Sequence, residues 1–321
     1  MSLDIASVQD QLLASYRDRG CDANVSTMTI AVFFENPAIG ELARDRIRML
    51  ASKHPSRVMV LDGSAPETVH RVDGCDWIEL GVRESGPEML RAAVASLRLA
   101  DAPVVLLWAA PGLGNDPRFD SLAQDAQTIV YNSSLLDSGR DALRELVSYV
   151  GNHPQLPIAD IAYLRLAPWQ ECVAIFFDGK AVAELRDLEH IEIACGSDPE
   201  ALYMLGWLAS RLAWTPSAAD AFVNSTGKRV AFSIDRQGEP RRILRIALSS
   251  SQSTFVAEVD REQATIHLSV TGSSEHGARY RAIENPGIPA LLERAILWGQ
   301  DDRLFAAALE AAGKILNEGE R

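Results

Sequence analysis

The sequence predicts an α/β fold with a Rossmann-like parallel-sheet N-terminal domain and an α+β C-terminal domain that contains an antiparallel meander. Three observations lead to this fold class. In the first half, short apolar runs alternate with helical patterns, as expected for a parallel sheet that helices cover on both faces. In the second half, four strand patterns follow one another closely, with short polar turns between them. Finally, 321 residues are many for one core, so we expect two domains, at residues 1–155 and 156–321.

The N-terminal domain is expected to begin with an amphipathic helix, because apolar residues from Ile5 to Tyr16 recur at steps of three and four residues. The apolar runs that follow are nearly continuous, which is typical of strands buried on both faces. Strands are therefore predicted at 27–34, 57–61, 77–80, 103–108 and 128–131, with helices at 39–53, 87–99 and 140–150.

The domain boundary is predicted in the segment 151–157, which holds two prolines and several turn-forming residues. After it, we expect a long helix from Ile158 to Phe177, which Pro168 either bends or restarts. A strand near 190–194 comes next, followed by a helix that has its N-terminal cap and proline at 197–199 and ends near 214–216. The meander is predicted at 230–234, 243–248, 255–259 and 265–270, and two closing helices near 288–298 and 302–316 would cover its apolar face.

Charge and hydropathy narrow the classes of function. The formal net charge is −13, so a phosphate backbone or an anionic membrane surface would repel the chain. The first 20 residues lack the basic start and the apolar run of a signal peptide, and the sequence has no apolar stretch of about 18 residues. We therefore expect a cytoplasmic protein that binds neither nucleic acid nor membrane.

The usual cofactor and metal motifs are missing from the sequence. The turn Gly112-Leu113-Gly114 follows the fourth predicted strand rather than the first and lacks a third glycine, so we interpret it as a surface turn. No GxxxxGK[ST] loop and no HExxH pair occur, and the four cysteines stand far apart. We expect no cofactor, no metal and no catalytic residues.

One short turn carries enough charge to bind an anion. Lys53, His54 and Arg57 place two cations and an imidazole at the start of a predicted strand. They could bind a phosphate or a carboxylate of a partner. An ordinary helix end explains the same residues equally well, because the helix dipole favours Lys and His there.

Tryptophan placement indicates a second candidate region. Trp207 and Trp214 lie seven residues apart on one predicted helix, so both indoles should share a face beside Arg211. Trp169 directly follows Pro168. Aromatic residues next to arginine are typical anchors of protein interfaces, although filling an interdomain core is an equally good explanation.

Four stretches together resemble the glucose-6-phosphate dehydrogenase assembly protein (OpcA) family. They are ASKHPSRVMVLDG at 51–63, LADAPVVLLW at 99–108, DIAYLRLAPWQECVAIFFD at 160–178 and EALYMLGWLASRLAWTP at 200–216. The family's motif positions fall on His54, Pro55 and Arg57, on Asp101, Pro103 and Trp108, on Asp160, Arg165, Pro168 and Trp169, and on Trp207 and Arg211.

This sequence also departs from the family pattern. Tyr163 and Gln170 stand where the family commonly has tryptophan and arginine, and Ser56 replaces a frequent cysteine. No cysteine follows Cys195, so a thiol switch in the C-terminal region is not expected.

The resemblance implies a non-catalytic assembly factor and allosteric activator of glucose-6-phosphate dehydrogenase, which would promote the oxidative pentose phosphate pathway. It also makes His54, Arg57, Asp160, Arg165, Trp169, Trp207 and Arg211 candidate contacts for the partner or an anion. Two alternatives stay open: an enzyme or sensor that binds a sugar phosphate at the turn from Lys53 to Arg57, and a purely structural subunit.

Overall fold

A computed structural model describes residues 4–19, 26–73, 76–136, 138–177, 184–237, 242–260, 262, 265–272, 279–282, 287–298 and 303–318. The chain forms two compact units. The first comprises residues 1–136, 148–161 and 287–301, and the second comprises 137–147, 162–286 and 302–321. The boundary between two domains after residue 155 stays a prediction.

The first unit is built on a seven-stranded sheet with the order β3-β4-β2-β1-β5-β6-β7. In chain order its strands are β1 (Met28–Phe34), β2 (Ser56–Asp62), β3 (Thr68–Asp73), β4 (Trp77–Gly81), β5 (Val104–Ala109), β6 (Thr128–Tyr131) and β7 (Ile158–Asp160). Strand β3 pairs antiparallel with β4, and the other neighbouring strands are parallel. The predicted strands are confirmed, and β3 and β7 are additional ones.

Helices α1 (Ile5–Arg19), α2 (Pro37–Lys53), α3 (Pro87–Leu97) and α4 (Pro117–Ala123) precede or connect these strands, and α5 (Gly139–Asn152) leads to β7. Helices α2 and α4 begin in the same way. Helix α2 follows β1 directly, and α4 follows the turn after β5. Asn36 and Asp116 each accept a hydrogen bond from a backbone N–H of the first turn, and a proline follows each cap. Two capped helix starts, those of α2 and α4, therefore lie at the carboxyl edge of the sheet.

The predicted long helix from Ile158 to Phe177 is wrong at its beginning. Residues 158–160 form the edge strand β7, and the helical part consists of α6 (Ile161–Leu164) and α7 (Ala167–Phe176). Pro168 lies in the first turn of α7, which was one of the two predicted roles for this proline. A segment of three residues is too short for its periodicity to distinguish a strand from a helix, and pairing with β6 decides for the strand.

The second unit contains an eight-stranded sheet with the order β15-β14-β13-β12-β8-β11-β10-β9. Its strands are β8 (Leu188–Cys195), β9 (Thr215–Ala218), β10 (Ala221–Val223), β11 (Arg229–Arg236), β12 (Ile243–Ser250), β13 (Thr254–Asp260), β14 (Thr265–Thr271) and β15 (Arg279–Ala282). A mostly parallel first sheet and a largely antiparallel second sheet confirm the predicted α/β fold class.

The predicted four-stranded meander is wrong in one pairing. Strands β12, β13 and β14 do form a continuous antiparallel meander, but β8 lies between β11 and β12. Strand β8 pairs parallel with β11 and antiparallel with β12. Its buried residues Ile191, Ile193 and Cys195 explain why it occupies the centre of the sheet, where apolar side chains lose most contact with water.

The two closing helices do not act as a pair. Helix α9 (Ile288–Trp298) packs against α2 and β6 in the first unit, so the prediction that it covers the meander is wrong. Helix α10 (Arg303–Glu318) packs along α8 (Asp198–Leu212) in the second unit. Among the described residues, no helix has the length and hydropathy needed to cross a membrane.

The contact between α8 and α10 depends on Gly206. A Cβ atom added to this glycine would overlap the carbonyl oxygen of Ala308 and lie 2.9 Å from the backbone nitrogen of Ala312. Backbone atoms of a packed helix cannot move aside as a side chain can. The absent Cβ of Gly206 therefore sets the distance between the two helices.

We expect Gly206→Ala to lower the free energy of unfolding by about 1–3 kcal/mol, because the added methyl group forces α8 and α10 apart. Gly151→Ala is the matched control, since a Cβ at this helical glycine has no neighbouring atom within 4 Å. Urea denaturation followed by circular dichroism measures both variants. Equal stability of the two variants would contradict the role assigned to Gly206.

Candidate functional site

The turn from Lys53 to Arg57 joins the end of α2 to the start of β2. The Nε2 atom of His54 lies 2.9 Å from Oε1 of Glu293 on α9. Arg57 donates through Nε to Oδ1 of Asp76 (3.1 Å) and through Nη1 to the carbonyl of Leu97 (3.0 Å). The imidazole of His54 and the guanidinium of Arg57 therefore each contact a carboxylate of the same unit.

The buried hydroxyl of Ser56 donates to the backbone carbonyl of His54 (2.6 Å), so it supports the turn. A sugar phosphate at this turn would have to displace Asp76 from Arg57 or Glu293 from His54. The geometry thus argues against the alternative of a sugar-phosphate site, and Lys53 alone of these cations is exposed.

Asp160 ends the edge strand β7 and is only 1% exposed. Its Oδ1 atom accepts a hydrogen bond from the backbone N–H of Ser133 (3.2 Å), in the segment that follows β6. The carboxylate therefore joins the carboxyl ends of β6 and β7. A partner protein cannot contact this side chain without a rearrangement of the unit.

Arg165 and Glu200 form the most buried ion pair among the described residues. The Nη1 atom of Arg165 lies 2.7 Å from Oε1 of Glu200, and the two side chains are 14% and 1% exposed. The hydroxyl of Ser197 donates to the other carboxylate oxygen. Glu200 lies in the first turn of α8, where the helix dipole also favours a negative charge. The pair thus fixes the start of α8 to the turn between α6 and α7.

Aromatic rings pack beside this ion pair. The ring of Tyr163 lies 5.5 Å from that of Tyr203 and 5.2 Å from that of Phe305, centroid to centroid. Trp169 is 7% exposed and belongs to the core of the second unit. Two of the sequence stretches singled out above, 160–178 and 200–216, therefore meet through Arg165, Glu200 and these rings.

Trp207 and Arg211 lie in the C-terminal half of α8 and are accessible. Trp207 is partly exposed and Arg211 is exposed in the last turn, where the helix dipole favours its charge. The prediction that Trp207 and Trp214 share one helix face is wrong. Helix α8 ends at Leu212, Ala213 adopts a left-handed conformation (φ 54°), and Trp214 packs on Phe222 instead.

A group that sequence reasoning missed lies at the carboxyl edge of the first sheet. The Nη2 atom of Arg118 lies 2.5 Å from a carboxylate oxygen of Glu35 and 2.5 Å from a carboxylate oxygen of Asp116. Asp116 and Arg118 border a cleft of about 610 Å³, whose lining also includes Arg83, Ser85, Pro111 and Asn115. Glu35 and Arg118 are 83 positions apart, so no local pattern indicates their pairing.

The glycines Gly112 and Gly114 lie in a turn at the same edge, both with positive φ values near 80°. The backbone N–H of Asn115 donates to the carbonyl of Gly112, and a Cβ at Gly114 would approach the ring of Tyr149. The turn requires these glycines for its backbone conformation and for close packing. Over the described residues, no group of three or more His, Cys, Asp or Glu side chains is placed to hold a metal ion.

Comparison with known proteins gives two matching family models. The model described as the glucose-6-phosphate dehydrogenase subunit N-terminal domain matches residues 47–148, and the one described as the subunit's C-terminal domain matches residues 156–309. The two matches include all the motif residues discussed above.

Curated relatives match a shorter stretch. A putative OxPP cycle protein OpcA from Synechocystis sp. is 34% identical over 146 residues, which are 44% of this chain and 30% of the relative. Its counterpart from Nostoc punctiforme is 32% identical over 145 residues, 44% of this chain and 31% of the relative. The matched stretch thus spans about a third of the length of these relatives.

Solved structures share the fold at very low identity. The apo form of levoglucosan dehydrogenase has a TM-score of 0.53 at 9% identity, over 92% of this chain and 97% of that one. The 3-ketoreductase KijD10 from Actinomadura kijaniata, in complex with TDP-benzene and NADP in an open conformation, has a TM-score of 0.55 at 9% identity, over 91% and 96%. These similarities concern the fold alone.

We expect Arg165→Ala to lower the free energy of unfolding by about 3–5 kcal/mol, because it leaves the buried carboxylate of Glu200 without its cation. Lys314→Ala is the control. It breaks an exposed pair with Glu310 that contributes about 0–1 kcal/mol. Chemical denaturation measures both losses, and equal losses would show that the burial of the pair carries no extra stability.

The thiol of Cys195 should be unreactive in the folded protein. Burial raises its pKa to about 12 from an ordinary 9.0, which lowers the thiolate fraction about a thousandfold. Alkylation by iodoacetamide near neutral pH, followed site by site by peptide mass spectrometry, should be slow at Cys195 until the chain is unfolded. Equal rates before and after unfolding would contradict the burial.

Proposed function

The chain belongs to the OpcA family of glucose-6-phosphate dehydrogenase subunit proteins, and from this membership we propose that it is a non-catalytic assembly factor and allosteric activator of that enzyme. The observation that carries the proposal is the pair of family models over residues 47–148 and 156–309, both described as domains of a glucose-6-phosphate dehydrogenase subunit. In this role the chain would act in the cytoplasm, on the oxidative pentose phosphate pathway.

The geometry of four motif residues supports a structural rather than a catalytic role for them. Arg57, Asp160, Arg165 and Trp169 contact groups inside their own units, so their part is to hold the scaffold. A catalytic residue has to reach its substrate, and these side chains are largely buried. The proposal therefore assigns them to stability rather than to chemistry.

The accessible motif residues are the proposed contact with the enzyme. Trp207 and Arg211 are partly or fully exposed and lie four residues apart on α8, so they are neighbours on one helix face. Tryptophan and arginine dominate the energetics of many protein interfaces, because they bury a large area and add directional hydrogen bonds. The rigid packing of α8 on α10 would hold the two side chains in place for binding.

Activation would follow from linkage. If the chain binds the active form of the dehydrogenase better than the inactive form, it shifts the population toward the active form by that difference in affinity. Coupling free energies of about 1–3 kcal/mol are common, and they change an affinity about 5- to 150-fold. The same coupling requires glucose 6-phosphate to strengthen the complex if the chain strengthens binding of glucose 6-phosphate.

The direct test uses the purified chain and the dehydrogenase of the same organism. Light scattering after size exclusion should detect a complex, and the rate at subsaturating glucose 6-phosphate should rise with added chain. A complex with unchanged kinetics would favour a purely structural subunit. The absence of both effects would overturn the proposal.

We expect Trp207→Ala and Arg211→Ala each to weaken binding to the dehydrogenase by about tenfold or more, equivalent to about 1.4 kcal/mol. Arg46→Ala, which removes an exposed arginine from α2, is the matched control and should leave the affinity unchanged. Biolayer interferometry measures the three affinities. If the α8 variants bind as the control does, the interface lies elsewhere on the chain.

A further inference from the structure

The order of the first sheet locates the place where this kind of fold binds ligands. Strand β1 is central, with β2, β4 and β3 on one side and β5, β6 and β7 on the other. In open α/β sheets the ligand crevice lies beyond the carboxyl ends of the strands where the strand order reverses, and here that point lies between β1 and β5. Dinucleotides bind there in Rossmann folds, with the pyrophosphate at the start of the helix that follows β1.

The turn after β1 has the length of a dinucleotide turn but not its residues. The usual pattern is G-x-G-x-x-G, and the residues from Glu35 to Gly40 read E-N-P-A-I-G. The third glycine keeps its packing role, because a Cβ at Gly40 would lie 2.7 Å from Cδ2 of Phe34 and closer still to two other ring atoms. The first two glycine positions hold Glu35 and Pro37.

These two replacements and a helix cap take away the phosphate-binding groups. Pro37 has no N–H to donate, and its ring occupies the space that a glycine leaves to the pyrophosphate. The Oδ1 atom of Asn36 already accepts from the backbone N–H of Ala38 at 2.9 Å. Glu35 adds a carboxylate near the positive end of α2, where the negative charge of a phosphate would otherwise be favourable.

Arg118 contacts the turn after β1 from the opposite side of the crevice. Its guanidinium bridges Glu35 and Asp116, and it lies 4.9 Å from the centroid of the Phe33 ring. Hydrogen bonding to Asp116, with a further contribution from Glu35, raises the pKa of Arg118 beyond its usual range. The cation that contacts Glu35 of the turn is thus paired with two carboxylates of the same chain.

The acidic residue at the position that usually binds the ribose already has partners in this chain. Asp62 ends β2, close to the distance of about 20 residues at which dinucleotide folds carry a ribose-binding acid. Its Oδ2 atom accepts from Nη2 of Arg44 (3.1 Å), and its Oδ1 atom accepts from the backbone N–H of Ser64 (2.9 Å). The N–H of Gly63 donates to the carbonyl of Phe34 (2.8 Å), which lays the loop after β2 over the end of β1.

We infer that this crevice is closed to dinucleotides, with the Glu35–Arg118–Asp116 ion pairs holding together the two loops that would otherwise grip a pyrophosphate. The Glu35 carboxylate takes the place of the phosphate between the α2 start and Arg118. The edge of the sheet thereby keeps its shape without a cofactor. This inference does not depend on the proposed function, because a chain that assists the dehydrogenase could do so with or without a nucleotide of its own.

Isothermal titration calorimetry of the full chain with NADP⁺ and with NAD⁺ tests the closure, with the dehydrogenase titrated in parallel to show that the assay detects binding. No saturable heat is expected up to about 1 mM ligand. Saturable binding of either dinucleotide with a dissociation constant in the micromolar range would overturn the inference.

A double-mutant cycle, measured by thermal unfolding, tests the ion pairs themselves. Glu35→Gln and Arg118→Gln should each lower the melting temperature by about 2–4 °C, and the double variant should lower it by less than the sum. Arg46→Gln, at an exposed position on α2, should have no effect. Strictly additive losses, or a melting temperature of the unaltered chain that rises with NADP⁺, would contradict the role of these pairs.

Discussion

The buried carboxylate of Glu200 is the constraint on which the second unit depends. A charge with 1% exposure is tolerated only when it is paired and hydrogen-bonded, so Arg165 and Ser197 must lie beside it. This requirement fixes where α8 begins, and Gly206 then lets α10 pack closely along the same helix. The exposed residues that we propose as partner contacts are therefore presented on a helix that is held at its start and along its length.

The first unit uses charge in a similar way at both ends of its sheet. At the amino end, Arg57 contacts Asp76, and at the carboxyl end Arg118 contacts Glu35 and Asp116. Charged residues in an α/β fold suggest ligand binding when they are considered alone. Because each of these cations faces a carboxylate of the same unit, they hold loops and helix ends in place. An enzyme-like fold is in this way consistent with a role in which the chemistry takes place in a partner.

The sequence predicts local structure well and long-range pairing poorly. Strand β6 was predicted with its observed limits, because apolar runs between turn residues leave few alternatives. The insertion of β8 between β11 and β12 and the packing of α9 on the first unit depend on contacts between distant segments, which no periodicity encodes. The same holds for the site: Trp207 was found from its motif, whereas the pairing of Glu35 with Arg118 required the folded chain.

We propose that this chain assists a reaction that its partner carries out. The most direct measurement is NADPH formation from glucose 6-phosphate by the chain mixed with a dehydrogenase that still binds it but is inactivated in its own active site. Our account predicts no turnover in this mixture, and turnover when the active dehydrogenase replaces the inactive one. NADPH formation in the presence of the inactive enzyme would show that the chain carries out the chemistry itself and would contradict the account.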